Sequence, residues 1–152
     1  MSLLVSLRPA LGRALVVGGG AVAARKVSGL VAAGFEVIVV APAICEAIRS
    51  SPATLRERAF LSSDVDQAAL VYACTDDREI NQQIGGLCRE AAIPVNVVDA
   101  PDESTFFSLA VTSSGNISVG VSTNGADPAE AARIRDRIAA LVGAVPQHGD
   151  GP

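Results

Sequence analysis

The segment from Gly18 to Ala23 reads Gly-Gly-Gly-Ala-Val-Ala and directly follows a short apolar run. It fits the pattern Gly-x-Gly-x-x-Gly/Ala, in which Gly18 permits a tight turn and Gly20, having no Cβ, lets the backbone approach a diphosphate. Ala23 allows the following helix to pack closely on the strand. Amide groups at the start of that helix direct a partial positive charge toward the phosphates. The segment therefore predicts a dinucleotide-binding turn, and a glycine-rich turn that binds nothing is the alternative.

The acidic residue that usually holds the ribose of NAD is missing from this sequence. It is expected about 20 positions after the glycines, at the end of the second strand. Val40-Ala41-Pro42-Ala43 occupies that place, with neither an acid nor an arginine. We therefore expect backbone groups or other side chains to hold the ribose. We favour NAD over NADP because a 2′-phosphate would have no cationic partner there.

Aspartates follow two later predicted strands, at the edge of the sheet where ligands of such folds bind. Asp99 follows the fifth strand, and partial burial there would raise its pKa and make it a usable general base. The alternative is a turn in which Asp99 bonds its own backbone. Thr75, Asp76 and Asp77 follow the fourth strand. We expect one of these aspartates to cap the next helix, and the remaining polar groups to contact the ribose or the substrate.

Composition limits the class of protein. The chain has 152 residues, of which 49% are apolar and 18% charged, and its mean hydropathy is +0.39. This is enough for one domain with a core, and it excludes a disordered chain. The net charge is −4 and Lys26 is the single lysine, so the sequence shows no basic face for nucleic acid. No apolar run reaches the ~18–20 residues of a membrane span.

Cysteine and histidine usage argues against several kinds of site. Cys45, Cys74 and Cys88 are odd in number and widely spaced, so they predict neither a disulfide framework nor a metal-binding knuckle. Reduced thiols of this kind are typical of a cytoplasmic protein. The single histidine, His148, lies in a tail rich in glycine and proline. This argues against histidine catalysis and a histidine-rich metal site, so we predict no metal ligands.

Strands and helices alternate along the first hundred residues. Short apolar runs rich in β-branched residues predict strands, and helix-compatible segments between them predict crossovers. The predicted strands cover residues 14–17, 35–40, 54–60, 70–74 and 95–98, and the helical segments cover residues 21–33, 44–49, 64–69 and 78–92. This alternation is typical of parallel strands with right-handed crossovers. The predicted fold class is α/β, with a Rossmann-type, doubly wound parallel sheet.

The pattern changes after residue 100. Residues 106–112 and 116–121 predict a hairpin, and Asp127-Pro128 opens a helix that runs to about Val142. A lone two-stranded hairpin is marginal in water, so we expect this small β-β-α appendage to pair with a second subunit. The predicted domains are an NAD-binding domain at residues 1–103, a dimerisation region at residues 104–143 and a flexible tail at residues 144–152.

Several motifs together resemble a known enzyme family. They occur in the same order and with compatible spacing over residues ~4–142, and they are Val16 to Lys26, Ala73 to Asp77 with Asn81, Val95 to Pro101, Phe106, and Val119 to Pro128. In this combination the chain resembles the precorrin-2 dehydrogenase family, which also forms the N-terminal module of siroheme synthases. Two positions depart from the family pattern. Leu109 stands where the family often has proline, and Asn124 replaces the first glycine of a Gly-Gly pair.

The resemblance implies a homodimer that oxidises precorrin-2, a carboxylate-rich tetrapyrrole, to sirohydrochlorin with NAD. Some members of the family also insert Fe²⁺, as sirohydrochlorin ferrochelatases. The family's catalytic aspartate lies in a motif Asn-Val-Val-Asp-Ala-Pro, which here assigns that role to Asp99. The family's NAD contacts correspond to Ala21, Val22, Pro42 and Ala43. These contacts also account for the missing acidic residue.

We therefore expect an NAD-dependent oxidoreductase in which Asp99 takes up the proton that accompanies hydride transfer, or positions the ring nitrogen that loses it. A module that binds NAD(H) as a sensor without catalysis is the alternative. The scarcity of histidine and the lack of a clear acid–base pair favour that alternative, whereas Asp99 argues against it. A degenerate scaffold that only dimerises would bind no NAD.

Overall fold

The structure is a computed structural model that describes residues 2–142. The chain forms two compact units. One spans Leu4–Phe106, and the other comprises residues 2–3 and 107–142 of the described chain. The flexible tail predicted at residues 144–152 lies outside the described residues.

The first unit is a five-stranded parallel sheet with helices on its two faces. Its strands lie in the order β3-β2-β1-β4-β5. They are β1 (Arg13–Val17), β2 (Val37–Val40), β3 (Thr54–Arg56), β4 (Ala68–Ala73) and β5 (Val95–Val97), and the helices between them are α1 (Ala21–Ala32), α2 (Glu46–Arg49) and α3 (Arg78–Glu90). Successive strands are added on one side of β1 up to β3, and then on its other side from β4 onward, as in doubly wound folds. This confirms the predicted Rossmann-type architecture.

Alternation along β1 builds the core on both faces of the sheet. Ala14 and Val16 pack in the cluster that includes α1, whereas Leu15 and Val17 pack in the cluster that includes α3. All four side chains are at most 2% exposed. A strand buried on both faces requires a continuous apolar run, which is why the sequence shows one here.

Helix α1 is positioned by its apolar stripe and by a glycine at its end. Its buried residues Ala23, Val27 and Leu30 recur at helical spacing on the face toward the sheet. Gly34 has a φ of +85°, and its amide donates to the Val31 carbonyl at 2.9 Å. The next amide donates to the Leu30 carbonyl, which completes a glycine-based C-terminal cap. The predicted stop at Gly34 is confirmed.

The second unit is a hairpin covered by one helix, and it confirms the predicted β-β-α order. Strands β6 (Ala110–Ser114) and β7 (Ile117–Val121) are antiparallel, and helix α4 (Pro128–Val142) packs on both. A Cβ at Gly120 would lie 2.6 Å from the Leu109 side chain. Leu109 therefore packs directly on Gly120, and a larger residue there would require the Leu109 side chain to move.

Hydroxyl groups close the free edge of the parallel sheet. The amides of Val95 and Val97 in β5 donate to Thr105 Oγ1 and Ser104 Oγ, each at 2.8 Å. The Thr105 amide donates in turn to the Val95 carbonyl at 2.8 Å. The chain therefore leaves the first unit along an edge whose backbone groups are already paired.

Three predicted element boundaries are wrong. The third strand ends at Arg56 instead of residue 60, and the helical turn predicted at residues 64–69 is a 3-10 turn at Ser62–Val65. The predicted strand starting at Phe106 begins four residues later, at Ala110. In the first two cases Arg56 and Arg58 pair with Asp64, and the chain there forms neither the longer strand nor the predicted helical turn. In the third, Phe106 packs edge-on against the Tyr72 ring, with centroids 5.3 Å apart.

Asp64 organises the connection between β3 and β4. Its side chain is 2% exposed and accepts hydrogen bonds from Arg58 at 2.6 Å, Arg56 at 2.9 Å and the Leu61 amide at 2.9 Å. The hydrogen bond from Arg58 is the main cause that lowers the pKa of Asp64 to about 2, against the opposing effect of burial. The connection between β3 and β4 therefore contains no α-helix. The hydrogen bonds to the buried Asp64 carboxylate hold the short turn in place.

We expect Asp64→Asn to lower the free energy of unfolding at neutral pH by about 2 kcal/mol, because a pKa depressed in the folded state stabilises it once the carboxyl is ionised. That stabilisation is present above the ordinary pKa of 3.8 and is lost as the pH falls toward about 2. Urea denaturation of both proteins at several pH values measures the difference, with Asp66→Asn as the exposed control. A gap between wild type and Asp64→Asn that is the same at about pH 7 and about pH 2.5 would contradict this assignment.

Candidate functional site

The carboxyl ends of four parallel strands bring the predicted site residues to one edge of the sheet. Val17, at the end of β1, is in register with Val40 of β2 and Ala73 of β4. The loops that follow are joined by backbone hydrogen bonds. The Gly18 amide donates to the Val40 carbonyl at 2.9 Å, and the Val98 amide donates to the Ala73 carbonyl at 3.1 Å. This edge is where doubly wound sheets bind ligands.

The glycine turn is enclosed by backbone at two of its three positions. Gly18 has a φ of +133°, and a Cβ there would lie 2.4 Å from the Cys74 carbonyl oxygen. A Cβ at Gly19 would lie 1.8 Å from the Ala43 carbonyl oxygen. At Gly20 a Cβ would meet no atom within 4 Å. The first two glycines are thus required by the protein's own packing, whereas Gly20 borders open space that a ligand could enter.

Helix α1 begins at this open position without a side-chain cap. Gly20 is its N-cap residue and makes no side-chain cap hydrogen bond. The first helical hydrogen bond here runs from the Ala24 amide to the Gly20 carbonyl at 3.0 Å. Ala21 and Val22 are exposed, whereas Ala23 is fully buried against the sheet. The amides of the first turn, together with the helix dipole, therefore fit an anionic group such as a diphosphate.

The loop after β2 lies against the glycine turn. The Cys45 amide donates to the Gly19 carbonyl at 2.8 Å, and Ala43 contributes the carbonyl that approaches Gly19. Pro42 and Ala43 are exposed, whereas Ala41 is buried. Neither exposed side chain is charged, so this loop offers a ribose only backbone groups and apolar contact. The roles predicted for Pro42 and Ala43 stay predictions.

The turn between β4 and α3 resolves which aspartate caps the helix. Asp77 accepts hydrogen bonds from the amides of Glu79 and Ile80, at 2.9 and 3.2 Å. Thr75 is held by the fully buried Asn81, whose Oδ1 lies 2.7 Å from the Thr75 hydroxyl and 3.1 Å from its amide. Asp76 is exposed at the tip of the turn. Asp76 is therefore the polar group that this turn leaves available, and the cofactor roles of Thr75 and Asp76 stay predictions.

Asp99 lies two residues beyond β5 and is not buried. Its side chain is 36% exposed, and Oδ1 accepts a hydrogen bond from Arg78 at 2.7 Å. This exposure leaves the side chain only partly covered, and the role of Asp99 as a general base stays a prediction. The alternative, in which Asp99 bonds its own backbone, differs from the structure. The carboxylate is instead paired with a guanidinium from the start of α3.

Electrostatics beside the glycine turn exclude one candidate nucleophile. Cys74 is 8% exposed, and burial raises the pKa of its thiol to about 12, although Lys26 and Arg25 oppose that shift. At neutral pH the thiol is therefore protonated and unreactive. Burial likewise lowers the pKa of Lys26, whose ammonium lies 5.2 Å from the centroid of the Tyr72 ring.

Other features of the described chain do not form a second site of this kind. Within residues 2–142, no group of three or more His, Cys, Asp or Glu residues is arranged to hold a metal ion. A cavity of about 180 Å³ adjoins Arg13 and Gln67, near the starts of β1 and β4. Its charged lining is partly paired, because Arg13 bonds Gln67 at 3.0 Å and Arg56 bonds Asp64 at 2.9 Å. Among the helices described, none is long and apolar enough to cross a membrane.

Two residues of this edge escaped the sequence analysis. Gly19 occupies a position that the nucleotide-binding pattern leaves free, so its contact with Ala43 has no signal in the motif. Arg78 was predicted only as the first residue of a helix, and its partner Asp99 lies 21 residues away. Long-range ion pairs of this kind follow no local periodicity.

Comparison with known proteins relates the chain to nucleotide-binding enzymes. The model of an NAD(P)-binding family matches residues 5–110. The chain is 43% identical over 137 residues to a siroheme synthase of Thioalkalivibrio sulfidiphilus, a match covering 84% of this chain and 27% of the relative. It is 41% identical over 132 residues to a siroheme synthase of Methylobacillus flagellatus, covering 84% of this chain and 28% of the relative. The chain thus spans less than a third of the length of these curated relatives.

A solved structure shares the fold. SirC, a precorrin-2 dehydrogenase, superimposes with a TM-score of 0.76 at 23% sequence identity, covering 93% of this chain and 70% of SirC. This similarity extends through the parallel sheet and beyond it. It supports the architecture described above.

We expect Gly20→Ala to separate cofactor binding from folding. The added methyl meets no protein atom within 4 Å, and φ at this position is −91°, so the fold accommodates it. Because alanine is a poorer N-cap residue than glycine, the free energy of unfolding should fall by about 1 kcal/mol, which leaves the protein folded. The methyl occupies the approach to the α1 amides, so the dissociation constant for NAD should rise at least about tenfold.

Two further variants serve as matched controls for Gly20→Ala. Gly29 also has open space at its Cβ and lies within α1, so Gly29→Ala should preserve NAD binding and stabilise the helix slightly. Gly19→Ala should lower the melting temperature, because the Ala43 carbonyl must move. Isothermal titration with NAD and thermal unfolding measure both effects. Undiminished NAD binding by Gly20→Ala would overturn the assignment of this turn as the diphosphate site.

Proposed function

The chain belongs to the NAD(P)-binding family whose model covers residues 5–110, and on that premise we propose that it is an NAD-dependent precorrin-2 dehydrogenase. It would oxidise precorrin-2 to sirohydrochlorin in siroheme biosynthesis. The observation that carries this proposal is the open, uncapped start of α1 at Gly20, on the same sheet edge as the carboxylate of Asp99. The names of the siroheme synthases and of SirC support the choice of substrate.

In this proposal the cofactor lies across the carboxyl ends of β1, β2 and β4. Gly18 and Gly20 with Ala21, Val22 and Ala23 form the diphosphate site, where amides supply the positive partial charge. Pro42 and Ala43 border the adenosine ribose, and Thr75 and Asp76 border the opposite side. NAD is favoured over NADP because the exposed residues after β2 carry no positive charge for a 2′-phosphate.

The reaction removes two electrons and two hydrogens from the tetrapyrrole, one as hydride and one as a proton. Bound NAD⁺ supplies the hydride acceptor. Asp99 takes up the proton or orients the ring nitrogen that releases it. Its Oδ1 is held by Arg78, which leaves Oδ2 to face the substrate. Exposure of Asp99 is consistent with this role, because the substrate itself would exclude water when it binds.

The relatives are longer proteins, so their other activities are not assigned to this chain. Insertion of Fe²⁺ by the same site stays a prediction from the family resemblance. We also propose a cytoplasmic location, which the free thiols of Cys45, Cys74 and Cys88 support.

We further propose that the chain is a homodimer formed through residues 104–143. Val111 in β6 is 52% exposed and stands opposite Gly120 of β7, beside the serine pair Ser113 and Ser118. Helix α4 packs on the hairpin, and Val111 is an apolar side chain of β6 that remains exposed. A two-stranded hairpin gains stability when a second copy adds to it, which supports this assembly.

Asp99→Asn should reduce kcat for NAD-dependent oxidation of precorrin-2 at least about a hundredfold, because the isosteric amide is a far weaker base. NAD affinity should stay unchanged. The measurement is anaerobic NADH formation by the full chain with precorrin-2, with Asp102→Asn as a control at a neighbouring exposed carboxylate. NAD binding without any NADH formation by the wild type would instead favour the sensor alternative, and an active Asp99→Asn would remove Asp99 from the mechanism.

Val111→Lys should convert the dimer into a monomer, because burying an unpaired charge in a symmetric interface is costly. Leu61→Lys is the matched control, since Leu61 is also 52% exposed but belongs to the first unit. Sedimentation equilibrium gives the masses of the three proteins. A monomeric wild type, or a Val111→Lys variant that stays dimeric, would contradict the proposed interface.

A further inference from the structure

One guanidinium joins two carboxylates beside the proposed proton acceptor. Arg78 donates from Nη1 to Asp99 Oδ1 at 2.7 Å and from Nη2 to Glu103 Oε2. Both acidic residues follow β5, whereas Arg78 is the first residue of α3. The arginine therefore links the turn after β4 to the turn after β5, at the edge where the proposed substrate binds.

The backbone that carries Arg78 is fixed independently of this pair. The preceding residue, Asp77, caps α3 through two backbone amides. Asn81, in the first turns of the helix, is fully buried and accepts from the Thr75 amide at 3.1 Å. The guanidinium thus extends from a rigid helix start, which is what a side chain needs to orient another group.

The turn that carries Asp99 is held mainly by its backbone. The Ala100 amide donates to the Val97 carbonyl at 3.2 Å, and the Glu103 amide donates to the Ala100 carbonyl at 3.0 Å. These bonds set the path of the chain but not the rotamer of Asp99. The hydrogen bond from Arg78 is the contact that selects the direction of this carboxylate.

We infer that Arg78 is a positioning residue for the proposed reaction, holding Asp99 with Oδ1 occupied and Oδ2 directed to the substrate. This inference rests on the proposed function, in which Asp99 accepts the proton. Glu103 completes the arrangement, because it binds the second arm of the guanidinium and prevents rotation about the Arg78 side chain. A fork that engages two carboxylates is specific to arginine, since a lysine ammonium is a single point charge.

The test compares Arg78→Gln and Arg78→Lys in the full chain. Arg78→Gln should lower kcat for NAD-dependent precorrin-2 oxidation by about 10- to 100-fold, because a small displacement of the acceptor is costly in rate. KM for NAD should stay within about twofold, since the glycine turn is untouched. Arg78→Lys should recover part of the loss. Arg13→Gln is the control, because Arg13 forms an exposed ion pair with Glu36 at the amino end of β1, away from the carboxyl ends that form the proposed site.

A double variant separates positioning from general destabilisation. If Arg78 acts through Asp99, Arg78→Gln should cause no further loss of residual activity in the Asp99→Asn background. Multiplicative losses in the double variant, or a kcat of Arg78→Gln equal to that of the wild type, would overturn the inference. Failure of the proposed function has a different signature, because the wild type itself would then form no NADH with precorrin-2.

Discussion

The close approach of the Gly19 backbone to the Ala43 carbonyl is the constraint from which the geometry of the site follows. It leaves no room for a side chain at Gly19 and joins the loops after β1 and β2 into one backbone-packed surface. The Cys74 carbonyl approaches Gly18 from the other side in the same way. Three strand ends are thereby fixed relative to each other before any side chain contributes. The start of α1 borders open space, because a Cβ at Gly20, unlike one at Gly18 or Gly19, would meet no atom within 4 Å.

This construction explains how charge is distributed over the first unit. Because backbone amides and the helix dipole can bind a diphosphate, the site needs no arginine for the phosphates. The arginines instead pair with carboxylates, as Arg58 does with buried Asp64 and Arg78 does with Asp99. The first pair supports the fold, since it anchors the turn between β3 and β4. The second lies at the edge proposed to bind the substrate, where the same chemistry would direct the proposed proton acceptor.

The parts of the fold that follow local rules were predictable from the sequence. The run before Gly18, the stop at Gly34 and the order of strands and helices depend on periodicity and turn chemistry. The turn at Asp64 was not, because its structure depends on arginines six and eight residues earlier. The apolar residues before β6 resemble a strand in sequence. In the structure, however, Phe106 packs against Tyr72 and Leu109 packs against Gly120, and neither belongs to a strand. In the site, the glycine turn follows from a local sequence motif. The pairing of Asp99 with Arg78 does not, because the two residues are 21 positions apart and meet only in the folded chain.

The hydroxyls of Ser104 and Thr105 on β5 have a consequence for solubility. An edge strand with free amides is a template on which another chain can add a strand, and such addition leads to aggregation. Here the outward amides of Val95 and Val97 are occupied from within the same chain. The parallel sheet therefore cannot grow by recruiting strands on this side.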